Sequence, residues 1–177
     1  IPMGDLINQP VHKPFAKAHR RAKPENRTQS ELLACVPPPP SQAGYRSVGF
    51  EQLCKFAYPI KPNGTRGTLA NGDTPSIPQD VKELDGEKVC LSGFLIPMTY
   101  EAKSRAFLLT KNQMLCCYGQ TPKVNEWAIV TMKEPVPALL DKPVVISGQL
   151  RGGEVKEKDV VLSLYRLEGE QMRTFEQ

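Results

Sequence analysis

Two matching runs constrain this chain more than anything else in it. Val89-Cys-Leu-Ser-Gly-Phe-Leu95 lines up with Val144-Val-Ile-Ser-Gly-Gln-Leu150, each placing a glycine four positions after a valine. Both runs are rich in β-branched and aliphatic residues, the composition of strands. A glycine inside such a strand removes the side chain where the backbone must bulge, bend sharply or take another backbone close against it. Two kinked strands, at Gly93 and Gly148, are what a small and strongly coiled barrel needs in order to close.

The neighbouring runs complete a set of strands. Glu87 to Pro97, Arg105 to Thr110, Met114 to Tyr118, Glu126 to Met132, Pro143 to Arg151 and Val160 to Leu167 are separated by turn residues and by a charged loop, Gly152 to Asp159. Leu139-Leu140 is placed in a short helical turn. The expected fold is mainly all-β, a small OB-like five- to six-stranded antiparallel barrel, with a β-sandwich as the alternative.

What precedes the barrel has a different character. Residues 1–44 hold eight prolines, four of them consecutive at Pro37 to Pro40, so this stretch favours extended polyproline backbone over a core of its own. A linker, an arm wrapped over the surface, or a polyproline ligand for an aromatic groove all fit it. Phe50, Leu53, Cys54 and Ala57 fall at helical spacing, which predicts a short amphipathic helix within residues 45–58, capped by Ser47 and stopped by Pro59. Pro59 to Gln79, with Asn63-Gly64 and Asn71-Gly72 as turn signals, reads as loop. The domain plan is therefore a basic Pro-rich arm at 1–44, a helix and loop at 45–79, the barrel at 80–170 and a tail at 171–177.

Charge is distributed unevenly along that plan. Residues 1–80 carry ten Lys and Arg against six Asp and Glu, and residues 81–177 carry thirteen against thirteen, so the net +4 lies wholly in the first part. The arm residues Lys13, Lys17, Arg20, Arg21, Lys23 and Arg27 suit a solvated tail or an anionic partner. The barrel itself lacks the positive groove from which counterion release draws nucleic-acid affinity. A single-stranded nucleic-acid module is thus the third choice. No run reaches the roughly 18 apolar residues of a spanning helix. The chain opens at Ile1, not at a methionine, and a trimmed leader or anchoring segment is expected.

Chemistry-bearing side chains concentrate between Gln113 and Trp127, where Cys116 and Cys117 are adjacent. In extended backbone their side chains point to opposite faces. Packing of one as a small apolar group, a disulfide to Cys90, Cys54 or Cys35, thiolate ligation of a transition metal, and a redox-active thiol are all open to them. A vicinal disulfide is strained. Tyr118, Asn125 and Trp127 are candidates for a binding surface beside the cysteines. Both histidines, His12 and His19, lie in the arm. A cysteine nucleophile in the barrel would therefore lack an imidazole base on its own domain, and no phosphate loop or carboxylate pair stands out. The expectation is not an enzyme.

Leu84-Asp-Gly-Glu-Lys-Val-Cys-Leu-Ser-Gly-Phe-Leu-Ile-Pro-Met98, followed by Phe107-Leu-Leu and Cys116-Cys-Tyr-Gly119, resembles an uncharacterised bacterial family, DUF3299, over about residues 77–134. One branch of that family carries Cys-Cys-Phe-Gly, matched by Cys116, Cys117 and Gly119 with Tyr118 in place of phenylalanine. Another carries Cys-x-His, a proline run and Asn-Gln; Cys116 and Asn125 correspond, but Tyr118 stands at the histidine and only Pro122 remains of the prolines. The resemblance implies an exported, periplasmic or lipid-anchored protein with an accessory role beside envelope transporter components. The reading that follows is a non-catalytic binding or accessory role, with the Cys116-Cys117 segment as its contact or metal-handling point and thiol redox chemistry as the alternative.

Overall fold

The computed structural model describes residues 34–115, 119–140 and 142–175. Among them six strands form one sheet: β1 (Arg46–Val48), β2 (Lys88–Pro97), β3 (Lys103–Thr110), β4 (Trp127–Pro137), β5 (Val144–Glu157) and β6 (Val160–Thr174). Two single-turn helices, α1 (Phe50–Leu53) and α2 (Gln79–Lys82), precede β2. The strand order is β1-β2-β3-β4-β6-β5, and β2 also pairs with β5, so the bonding runs round as a ring. The chain is mainly β, and the ring is consistent with an OB-like barrel. A two-sheet sandwich has no need of the β2–β5 seam.

The sheet is mixed, where an antiparallel one was expected. β1 lies parallel to β2, and β4 lies parallel to β6. The second pairing follows from the long β5–β6 hairpin, which folds β6 back beside β4 after β5 has joined β2.

The two glycines of the opening pattern sit at the points where the ring turns. From Lys88 to Gly93 strand β2 pairs with β5, and from Phe94 to Pro97 it pairs with β3. Gly93 is therefore the handover residue. A Cβ there would stand 2.6 Å from the Thr110 carbonyl oxygen and 3.1 Å from the Phe50 ring. Gly148 lies at an irregularity in the β5–β6 register, opposite Gly169, and a Cβ on it would run into the Glu168 backbone.

Other expectations are corrected. The predicted helix within 45–58 shrinks to α1, because Arg46 to Val48 finds backbone partners on β2 instead. Ser47 does not cap it: its hydroxyl donates to the Pro39 carbonyl, and Gly49 holds the N-cap position. α1 still buries Phe50 and Leu53 completely against the barrel. Met114 and Leu115 form a helical turn, not the start of a strand. The charged stretch Gly152 to Asp159 is mostly strand, since β5 runs to Glu157 and only Lys158 and Asp159 turn the chain. Leu139 and Leu140 lie in irregular backbone without a helical turn.

The main core fills the ring with side chains such as Leu91, Leu109, Val130, Ile146 and Leu167 and is covered by Phe50, Leu53, Val81 and Leu84. Tyr165 is wholly buried and donates its hydroxyl to the Leu53 carbonyl at 2.6 Å, fixing α1 to the barrel. A smaller cluster of Ile96, Leu108, Trp127, Ile129 and Leu162 packs separately. No helix among the described residues is long and apolar enough to cross a membrane.

Candidate functional site

Strand β3 ends at Thr110 and β4 begins at Trp127, and the loop between them is closed at its base by paired groups. The Lys111 N–H donates to the Glu126 carbonyl at 3.1 Å, and the Lys111 ammonium meets the Glu126 carboxylate at 2.5 Å. The other carboxylate oxygen of Glu126 accepts from the Lys123 N–H at 2.9 Å. Burial alone would raise the Glu126 pKa, but these donors outweigh it and hold the carboxyl below its ordinary range. Lys111 is raised in turn, its burial outweighed by Glu126.

Within the loop, the Asn112 side-chain oxygen accepts from the Met114 N–H, and the Gly119 N–H donates to the Leu115 carbonyl at 3.0 Å. Gly119 has a φ of +67°, the left-handed backbone that glycine adopts without steric cost. Cys116, Cys117 and Tyr118 lie outside the described residues, between Leu115 and Gly119. A cleft of about 260 Å³ opens at this base, lined by Lys111, Met114, Leu115, Gln120 and Lys123 among others.

A larger groove of about 620 Å³ lies beside it, walled by Phe56, Ile60, Leu69, Val124 and Leu162. Its geometry is set by hydrogen bonds from both sides. Asn125 is buried and donates its amide N–H to the Phe56 carbonyl at 2.7 Å, and the Trp127 indole N–H donates to the Leu162 carbonyl at 2.8 Å. Both were expected to offer a binding surface. They line the groove, and each donates a side-chain N–H to a backbone carbonyl inside the protein. The opposite wall is fixed by Glu154 on β5, which accepts from the Tyr58 hydroxyl at 2.6 Å and meets Arg66 and Lys156. Burial and that carboxylate push the Tyr58 phenol up to about 12.

Sequence reasoning missed a second concentration of sulfur. The thiols of Cys35 and Cys54 lie close enough to interact, next to the Lys111–Glu126 pair. Burial and the neighbouring Cys35 raise the Cys54 thiol to about 11, so it stays protonated near neutrality. Cys90 is fully buried on β2, its thiol facing the carbonyls of Arg46 and Pro40 at 3.8 and 4.0 Å. No group of three or more His, Cys, Asp and Glu converges among the described residues.

Among curated proteins none matches this chain. A crystal structure of a DUF3299 family protein from Pseudomonas aeruginosa PAO1 is similar, with 20% identity and a TM-score of 0.48, over 59% of this chain and 68% of that one. The model of DUF3299, a protein family of unknown function, matches residues 73–174, from the loop before α2 through the whole ring to the end of β6, and the chain belongs to that family.

Proposed function

We propose that this is a non-catalytic accessory protein of the cell envelope, exported or anchored there, which binds through the β3–β4 loop and the groove beside it. The observation that carries this reading is the groove itself. At about 620 Å³ it falls within the range of ligand sites, its lining is largely apolar, and its walls are held by hydrogen bonds from three separate segments. Asn125, Trp127 and Tyr58 around it donate hydrogen bonds within the protein, which fixes the walls as a surface for holding a partner. The family resemblance supports the envelope location and a place beside transporter components.

Cys116 and Cys117, which follow Leu115 in the sequence of this loop, are the soft ligands that a transition metal such as zinc or copper prefers. Metal analysis of protein purified without chelators tests the metal-handling part. Retained metal in the wild type, lost in both Cys116→Ser and Cys117→Ser, is the expected result. A metal-free wild type whose Cys116 and Cys117 thiols cycle under mild oxidant and reductant would assign the segment to redox chemistry instead.

A further inference from the structure

We propose that Cys35 and Cys54 form a reversible disulfide that locks residues 35–54 across β2 as a closed strap. The path of the chain between the two cysteines carries the argument. Next to Cys35, the Val36 N–H donates to the Lys111 carbonyl at 2.9 Å, so the strap starts at the end of β3. It then crosses β2, where the Ser92 hydroxyl donates to the Pro37 carbonyl. The four prolines leave no N–H of their own to satisfy, which lets extended backbone lie on the barrel through its carbonyls alone.

The strap reverses at a turn closed by the Tyr45 N–H and the Gln42 carbonyl at 3.0 Å, and returns as β1 along β2. Its two limbs are tied by the Ser47 hydroxyl on the Pro39 carbonyl and by close packing of Gly49 against Pro38. α1 follows and ends at Cys54. The limbs therefore meet where they began, bringing the two thiols close enough to interact with each other and with Lys111. Both cysteines are half-buried, open to a small oxidant, whereas Cys90 is sealed.

The oxidant is a small disulfide such as oxidised glutathione. The Cys35 thiolate attacks one of its sulfurs and releases the first thiol. The Cys54 sulfur, giving up its proton to solvent, then attacks the Cys35 sulfur of the mixed disulfide and releases the second. Two protein thiols become one disulfide, and the oxidant takes up two electrons and two protons. Such a bond shuts the strap over the seam where β1 joins β2, independently of what Cys116 and Cys117 do.

The test poises the full chain in a series of reduced and oxidised glutathione mixtures, alkylates the free thiols and maps peptides without reduction. The expected result is one cross-linked pair joining the Cys35 and Cys54 peptides, with both alkylated forms disappearing together and returning on reduction. In Cys54→Ser, Cys35 remains single or glutathionylated at every poise. Alkylation of both thiols even in the most oxidising mixture overturns the proposal. So does a cross-link from either of them to Cys116 or Cys117.

Discussion

Gly93 and Gly148 are glycines because other backbone occupies the place of a side chain, not because the chain turns into left-handed conformation there. A methyl group on Gly93 meets the Thr110 carbonyl at 2.6 Å and the Leu109 side chain at 2.8 Å. Gly93→Ala is therefore expected to cost about 1–3 kcal/mol and Gly93→Val more, read as a lower urea midpoint. Gly148→Ala should cost at least as much, since its obstruction is the Glu168 backbone, which cannot rotate away. At the loop base, Glu126 and Lys111 make a mostly buried ion pair. The Glu126 carboxyl is depressed below its ordinary 4.5, so its contribution is present above that pH and is lost as pH falls through the lowered folded value. Lys111 is raised above 10.5, so its share is present below that pH and fades as pH rises past the folded value. Glu126→Gln should then destabilise by about 1–3 kcal/mol at pH 7, with a smaller difference from wild type in strong acid. Equal differences at both pH values in denaturation curves would assign the loss to packing.

At the level of elements, the strands were legible wherever both faces are buried, because burial demands a continuous apolar run, as from Val89 to Ile96. The end of β5 was not, since Glu154, Lys156 and Glu157 break the apolar run, and Glu154 is held there by its pairing with Tyr58, Arg66 and Lys156. The helix at 45–58 was overextended for a different reason: a local period of apolar residues cannot reveal that Arg46 to Val48 has a parallel partner some forty residues away. The same blindness hid the Cys35 and Cys54 contact, which depends on how a proline run folds back on itself. The segment around Cys116 stood out because its residue types are reactive, yet nothing local says that Asn125 and Trp127 turn inward. The β5–β6 hairpin yields a further prediction. Its two-residue turn places Lys158 at a φ of +54°, in a conformation that costs a non-glycine residue but is free to glycine. Lys158→Gly is expected to stabilise the protein by about 0.5 kcal/mol in urea unfolding, and a lower midpoint would mean that the lysine side chain contributes there.

For the whole molecule, the β2–β5 seam turns six strands into one cooperative unit. Without it β5 and β6 would be a hairpin held to the rest by the β4–β6 pairing, free to detach first. With it, each of the strands β2 to β6 has a neighbour on both sides, and local opening must break two ladders. Ile146 sits on this seam, paired with Leu91 and completely buried, while the single tryptophan, Trp127, lies on β4 in the separate smaller cluster. Truncating Ile146 to alanine leaves a cavity and should cost about 2–5 kcal/mol. If the ring unfolds as one body, that loss is felt equally at the distant indole. Trp127 fluorescence and far-ultraviolet circular dichroism should give coincident urea transitions in both wild type and Ile146→Ala, displaced together to a lower midpoint. An Ile146→Ala variant that loses strand signal while the tryptophan environment persists would show that β5 and β6 separate by themselves, and that ring closure does not couple the two cores.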